Sequence, residues 1–434
     1  MALVDGSDIR TGQQFPPKYR TQLNGQMARY RAFSEGRFNG LSDLTAPRLT
    51  PNVFRFIMDF WKDAVVGDAP IVDYDGGDPQ RRLVERLTKH IGATARSVVQ
   101  DMIRYGTGVF YNRLPYEIQS LDPQWWFPVV AAQYGEPTGL DIVAYPYATG
   151  PDNTNNRLHV AINTGGVADV REYRLSGLTI GDLLAATEVP VGQPALVGVT
   201  ENGQLFGASD YDDILPYVVE LHRRESGLSL ALDRHVNPHL AVPESVMKVD
   251  VAGNPSIDLS ESGNVMPVGD GEIVPQYVSW EARFEAQSAA IDRADKRILR
   301  ASRISSVLVR PDEQTGAIAS GAALRRMSVP TVQRIKVIRN ALSTAIATAM
   351  AGNSQMVGGG FQLDPDKILI TWPAALGTGI TDEHEAIRSL VEAGILEREA
   401  AVQLVNRVSR REAERIVAEA ASREEDENGN QGQP

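Results

Sequence analysis

"VRPDEQTGAIASGAALRRM", residues Val309–Met327, separates two of the strongest helical patterns in the chain. It begins beside a proline, passes through acid and amide side chains, and ends in glycine, alanine and serine. Helix–helix connections are usually about 2–8 residues long, so a longer one built from small side chains needs a physical reason. Upstream, "WEARFEAQSAAIDRADKRILRASR" (280–303) puts Phe284, Ile291, Ala294 and Ile298 on one side and both charge signs on the other. Downstream, Ser320 stands where a cap is expected, and Leu324, Met327, Ile335, Ile338, Leu342 and Ile346 form one stripe. Pro311 is expected to end the incoming helix. Pro330 is expected to kink or break the outgoing one, which should stop by Gly352.

Further upstream, residues 240–278 form a compact island. "SVMKVDV", "NVMPV" and "EIVPQYV" read as short strands, with turns at Gly253-Asn254, Ser262-Gly263 and Asp270-Gly271. Before the island, Ile214, Val218, Leu221, Leu228 and Leu232 trace a narrow helical seam. Pro216 fits only near that helix's start, and Pro238 ends it. At about 24 residues it would be roughly 36 Å long. Six β-rich runs, from "GTGVFYN" through "YEIQSL", "WFPVVAA", "LDIVAYPYA" and "RLHVAIN" to "VREYRL", predict an antiparallel meander. "PNVFRFIMDFWKDAVVG" predicts a helix with Val53, Phe56, Ile57 and Phe60 on its buried face, and Pro79–Tyr105 a second with Leu83, Leu87, Ile91, Val98 and Met102 inward. Residues 1–50 read as an arm with one helix near Thr21–Phe33. "KILITW" reads as a strand, and 381–422 as two or three helices. The polar end, 423–434, is expected to be disordered. The fold class is α+β.

The chain has 434 residues, no cysteine and a net charge of −12. Cysteine-based metal sites and disulfides are excluded, no run is apolar enough to predict a spanning helix, and so acidic a chain argues against a static grip on DNA phosphates. Catalytic signals are weak. "YGTGVFY" has Tyr111 where a dinucleotide fingerprint needs its third glycine, and no phosphate-binding loop is present. His235 and His239 have zinc-like i, i+4 spacing, but Pro238 stands between them. The acid pairs Asp212–Asp213 and Asp364–Asp366 sit at capping or turn positions. "DPQWWFPVV" (122–130) lacks the interleaved basic residues of a base-stacking platform and reads as core or subunit-interface packing. No catalytic residue, metal or cofactor is assigned; the chain is not expected to be an enzyme.

The order of parts resembles the portal (head–tail connector) family of tailed bacteriophages. "DMIRYGTGVFYN" followed by "YEIQSLDPQWWFPVV" looks like the family's wing turn and strand pair, "VNPHLA" like the end of the first stem helix, and "SGAAL" (320–324) like the sequence closing the tunnel loop. "ITWPAALGTGITDEHEAIRSLVEAGILEREAAVQLV" resembles the end of the wing and the segment after it, with Glu397 where Ser or Thr is usual. The resemblance covers roughly residues 50–420. It implies a portal fold: an N-terminal arm (1–50), wing (51–210 and 321–380), stem helices (211–237 and 280–304), clip (238–279), tunnel loop (305–320), crown helices (381–422) and tail (423–434).

The same resemblance implies a dodecameric ring at one capsid vertex of the virion. Double-stranded DNA would pass through its channel during packaging and ejection. Partners would be the terminase large subunit, a neck or head–tail adaptor protein, the major capsid protein and a scaffold; no membrane is involved. Rival readings are another head-completion or adaptor ring, or an enzyme with an unrecognised site. The residues placed at the DNA channel are Arg310, Asp312, Glu313, Gln314, Thr315, Gly316, Ala317, Ile318, Ala319, Ser320 and Arg325. Those placed at the oligomer interface, on the apolar seams of the stem, are Val218, Leu221, Phe284, Ile291 and Ile298.

Overall fold

The computed structural model describes residues 9–38, 51–130, 137–149, 155–164, 166–236, 239–243, 248–249, 255–256, 265–268, 276–278, 284–309, 321–357, 362–373, 387–389, 391–392, 397–406, 408 and 412–420. The chain divides into two compact units: Met1–Arg37, Phe54–Asp212 and Thr315–Pro434 in the first, Phe38–Val53 and Asp213–Gln314 in the second. Helix and sheet are both extensive, as α+β requires.

In the first unit, α1 (Lys18–Ser34) and α2 (Val53–Val66, whose first residue belongs to the second unit) precede β1 (Ile71–Tyr74), α3 (Asp78–Thr88), α4 (Ile91–Tyr105), β2 (Gly108–Leu114) and β3 (Glu117–Ser120). Five strands follow, β4 (Trp126–Val130), β5 (Pro137–Thr149), β6 (Asn155–Thr164), β7 (Val167–Ser176) and β8 (Thr179–Pro190), then β9 (Leu196–Val199). β4 to β8 form an antiparallel sheet in sequence order; β2 lies between β3 and β9 in a separate sheet. The expected six-stranded meander is therefore two sheets, and the sequence reading missed β8 and β9. β8 escaped because residues 182–190 are exposed on both faces, so "DLLAATEVP" shows no inside–outside alternation.

Period-two alternation sorts the core. Phe127, Ile142, Ala144, Leu158, Val160 and Tyr173 pack on one face of the larger sheet, and Trp126, Val143, Ala161 and Ala168 on the other. Ile9 and Phe15 belong to the first cluster and are fully buried. The amide of Gly12 donates to Ile180 and that of Phe15 to Leu178, while Arg20 donates to the Trp126 carbonyl at 2.7 Å. Residues 9–37 are thus part of the sheet unit, not a free arm. Their anchors are too widely spaced among glycines and polar residues to show a period.

Two helical readings need adjustment. α2 buries Phe54, Ile57, Met58, Trp61, Val65 and Val66, while Phe56 is exposed, so its inward face is turned by about one residue from the expected one. Pro79–Tyr105 is two helices broken at Lys89–His90, although Leu83, Leu87, Ile91, Val98 and Met102 are all buried.

The second unit takes in most of α5 (Asp210–Val236), β10 (His239–Pro243), β11 (Lys248–Val249), β12 (Pro255–Ser256), β13 (Val265–Val268), β14 (Gln276–Val278), α6 (Phe284–Ala301) and α7 (Ser306–Val309). β10 pairs in parallel with β13 and antiparallel with β14, and β11 pairs with β12. The chain then returns to the first unit with α8 (Gly321–Val357), β15 (Ile368–Thr371) and α9 (Arg398–Asn406). β15 is the strand expected in "KILITW" and pairs with β1. α8 contains Pro330 without a break and runs five residues beyond the expected stop at Gly352.

Candidate functional site

Of the residues assigned to the channel, Arg310, Asp312, Glu313, Gln314, Thr315, Gly316, Ala317, Ile318, Ala319 and Ser320 lie outside the described residues. Arg325 lies in the first turns of α8. The elements that frame this segment are described. α6 ends at Ala301, ten residues before Pro311, so the proline does not terminate it. The stop is local. The amide of Ile304 donates to Leu299 at 2.8 Å and that of Arg303 to Arg300 at 3.0 Å, with Arg303 at φ 59°. This is a Schellman closure, with Ile304 and Leu299 buried as its apolar pair. It normally takes glycine in the left-handed position. α7 occupies 306–309, so part of the expected loop 305–320 is helical.

α8 changes character at Pro330. Beyond it, Ile335, Ile338, Leu342 and Ile346 are buried, as expected of the stripe. Before it, Met327 and Val329 are 46% and 47% exposed, so the stripe is not buried at Met327.

Polar side chains that the sequence reading did not single out anchor the buried part. Arg334, 6% exposed, makes two 2.6 Å hydrogen bonds to Asp210 and two, of 3.0 and 3.2 Å, to Glu201, and its guanidinium lies 4.5 Å from the Trp61 ring centre. Burial opposes its charge, but the two carboxylates outweigh burial and hold its pKa above the ordinary value. Arg339 donates from Nε to the Val65 carbonyl at 3.0 Å. Asn353 donates from Nδ2 to the carbonyls of Leu114 and Glu117, both at 3.0 Å, and accepts from the Tyr116 amide. Asn112 donates to the carbonyls of Pro194 and Ala349. Gly352 is obligatory there, because a Cβ would lie 2.7 Å from the Pro194 carbonyl oxygen. None of these polar contacts has a sequence period.

In the sheet, Trp126 donates from Nε1 to Asp141 at 2.9 Å. Burial pushes the Asp141 carboxyl up to about 6 despite that bond. Trp126 and Phe127 are core residues, as "DPQWWFPVV" suggested. A cleft of about 520 Å³ between β9 and α8 is lined mainly by small and polar groups, including Thr200, Asn340, Thr344 and Thr348. It holds no histidine, and its one carboxylate, Glu201, is bonded to Arg334.

The stem assignment requires a correction. Val218, Leu221 and Ile298 are already buried within the single chain, so they are core side chains and not a free face; Ile291 is half-buried. For Phe284 only the backbone, the first residue of α6, is described. A seam of alternating three- and four-residue spacing marks burial; it does not distinguish burial within a chain from burial between chains. The seam of α5 surfaces further along, where Leu230 and Leu232 are exposed. Between α5 and α6 lies a hollow of about 260 Å³, lined by Tyr217, Glu220 and Arg224 from α5 and by Ala286, Ala290, Arg293, Ala294 and Arg297 from α6. Burial, and secondarily Asp295, raise the Glu225 carboxyl above its usual range. His235 and His239 fall on a helix end and a strand, not on one helix.

Among the described residues, no group of three His, Asp or Glu side chains is placed to hold a metal ion, and no helix is long and apolar enough to cross a membrane. No family model matches the chain, and no curated protein sequence matches it. Among solved structures it is similar to a chain described as "Neck of empty GTA particle computed with C6 symmetry", with 10% identity and a TM-score of 0.45, covering 91% of this chain and 96% of that one.

Proposed function

We propose that this chain is a phage portal subunit. Copies of it would form a ring at one capsid vertex of the virion, through which double-stranded DNA is packaged and ejected. The observation that carries the reading is the compact unit of residues 213–314. There most of the 27-residue α5 and the 18-residue α6 flank short paired strands in sequence, and this segment interrupts in sequence a helix-and-sheet unit that resumes with the 37-residue α8. That arrangement fits stem helices, clip and wing in the order the sequence motifs suggest.

On this reading residues 310–320 face the channel. Small side chains at Gly316, Ala317 and Ala319 relieve crowding where many copies converge, and glycine lets each copy adjust to a duplex whose symmetry differs from the ring's. Asp312 and Glu313 repel phosphates and favour sliding. The strands between α5 and α6 would dock the terminase large subunit and later a neck adaptor; the major capsid protein and a scaffold would meet the ring's outside. The role is structural, not catalytic.

Negative-stain electron microscopy of the purified chain tests the ring. Rings with a central hole are expected; a compact single-copy particle at every concentration would refute them. Deleting Gln314–Ala319 separates a portal from a shorter adaptor. Intact rings with defective packaging or leaking genomes are expected, and normal phage yield would remove the loop from the DNA path.

A further inference from the structure

The hollow between α5 and α6 carries three guanidiniums, of Arg224, Arg293 and Arg297, against one carboxylate, that of Glu220. Glu220 is already engaged. It accepts from Arg224 Nε at 2.6 Å and lies 3.6 Å from Arg223. Arg293 donates from Nε to the Ala289 carbonyl at 3.0 Å, within its own helix. Arg297 makes no hydrogen bond or ion pair with any described residue. Ala286, Ala290 and Ala294 line the α6 side of the hollow between the guanidiniums, and Tyr217 the α5 side.

α6 also carries the complement. Glu285 and Asp292 are exposed and have no partner among the described residues. They are seven apart, so both lie on one face, about a third of a turn around the helix from Arg293 and Arg297. We propose that the hollow is one half of a head-to-tail contact between two copies of this chain. In it, Arg293 and Arg297 of one copy receive the Glu285 and Asp292 carboxylates of the next.

Charge dictates the geometry. Two basic hollows repel, so a symmetric face-to-face pairing through this surface is disfavoured. A basic face and an acidic face on different sides of the same helix pair only in a directional series, which closes into a ring or continues as a filament. Carboxylate–guanidinium contacts of this kind fix register and partner more than raw affinity, and weaken as salt shortens the screening length. The proposal deepens the ring reading by naming the contact that sets its direction.

Charge reversal tests it, because both positions are exposed. Arg297→Glu and Asp292→Arg, each purified alone, are expected to lose assembled species in native mass spectrometry while keeping the far-UV circular dichroism of the unaltered chain. Mixing the two variants restores assembly, since alternating copies then meet with opposite charges at every contact; the double variant restores it as well. Assembly by each single variant equal to the unaltered chain's would overturn this contact and leave the ring intact. An unaltered chain that is a monomer at all concentrations would overturn the contact and the ring together. Folded single variants that neither mixing nor combination restores would also overturn the pairing. So would loss of duplex DNA binding in Arg297→Glu with assembly unchanged, which would assign the hollow to phosphate.

Discussion

Two sets of arginines in this protein have opposite circumstances. Arg334 on α8 is buried, shared between Asp210 and Glu201, and stacked near Trp61. Arg293 and Arg297 on α6 line an open hollow whose one described carboxylate, Glu220, is already bonded to Arg224. The first arrangement settles a charge within the chain and so fixes architecture. The second leaves charge on a concave surface without a carboxylate partner among the described residues. A buried ion pair is weak evidence for net stability but costly to break, whereas an exposed arginine contributes little to the fold of its own chain.

The strongest way to break this comparison is Arg334→Met. It removes the shared guanidinium from the half-buried Asp210 and Glu201 carboxylates and should destabilise the chain by about 3–5 kcal/mol. Chemical denaturation measures this; a loss below about 1 kcal/mol would mean the carboxylates find other donors.

Asp141 sharpens the contrast from the opposite sign of charge. Its carboxyl, raised to about 6 in the fold, is lower in the unfolded chain, so the folded state binds the extra proton. The stability this confers is present below the unfolded pKa and lost as pH rises through about 6. Asp141→Asn keeps an acceptor for Trp126, and should stabilise the chain on the order of 1–3 kcal/mol at pH 8 while changing little at pH 4. Equal effects at both values would show that the carboxyl is solvated.

Arg303 brings a backbone cost into the comparison. Its cost is the backbone at φ 59°, and Arg303→Gly should stabilise by about 0.5–1 kcal/mol. A rise in melting temperature is the readout; a fall would reveal a contact of the side chain that outweighs the strain.

The smallest expected effect is that of Arg297→Ala on the isolated monomer, within about 0.5 kcal/mol of zero. A larger loss in urea denaturation would place Arg297 with Arg334 and remove the distinction.

The sequence revealed what periodicity can reveal. The strand runs "WFPVVAA", "LDIVAYPYA" and "RLHVAIN" are β4, β5 and β6, and the long helices fall near their expected limits. It concealed elements whose side chains do not alternate: β8, exposed over most of its length, and residues 9–17, held by the isolated anchors Ile9 and Phe15. The stem seams at Val218, Leu221 and Ile298 marked burial correctly but not whose surface buries them. The hollow was equally hidden. Arg224 on α5 and Arg293 and Arg297 on α6 sit in patterns that read as ordinary solvated faces, and only folding brings the two helices together around the alanines.

The amides of Asn112 and Asn353 have a mechanical consequence. Asn353 holds the β2–β3 turn at Leu114, Tyr116 and Glu117, and Asn112 ties β2 to Ala349 on α8 and to Pro194 just before β9. These bonds bridge a helix and a sheet side by side, with Gly352 allowing the close approach. A pull along α8 from its N-terminal end would load them together in shear, not one after another as in peeling. The small sheet therefore serves as an anchor block for the helix, and a tug at one end of α8 is resisted at the other by carboxamides.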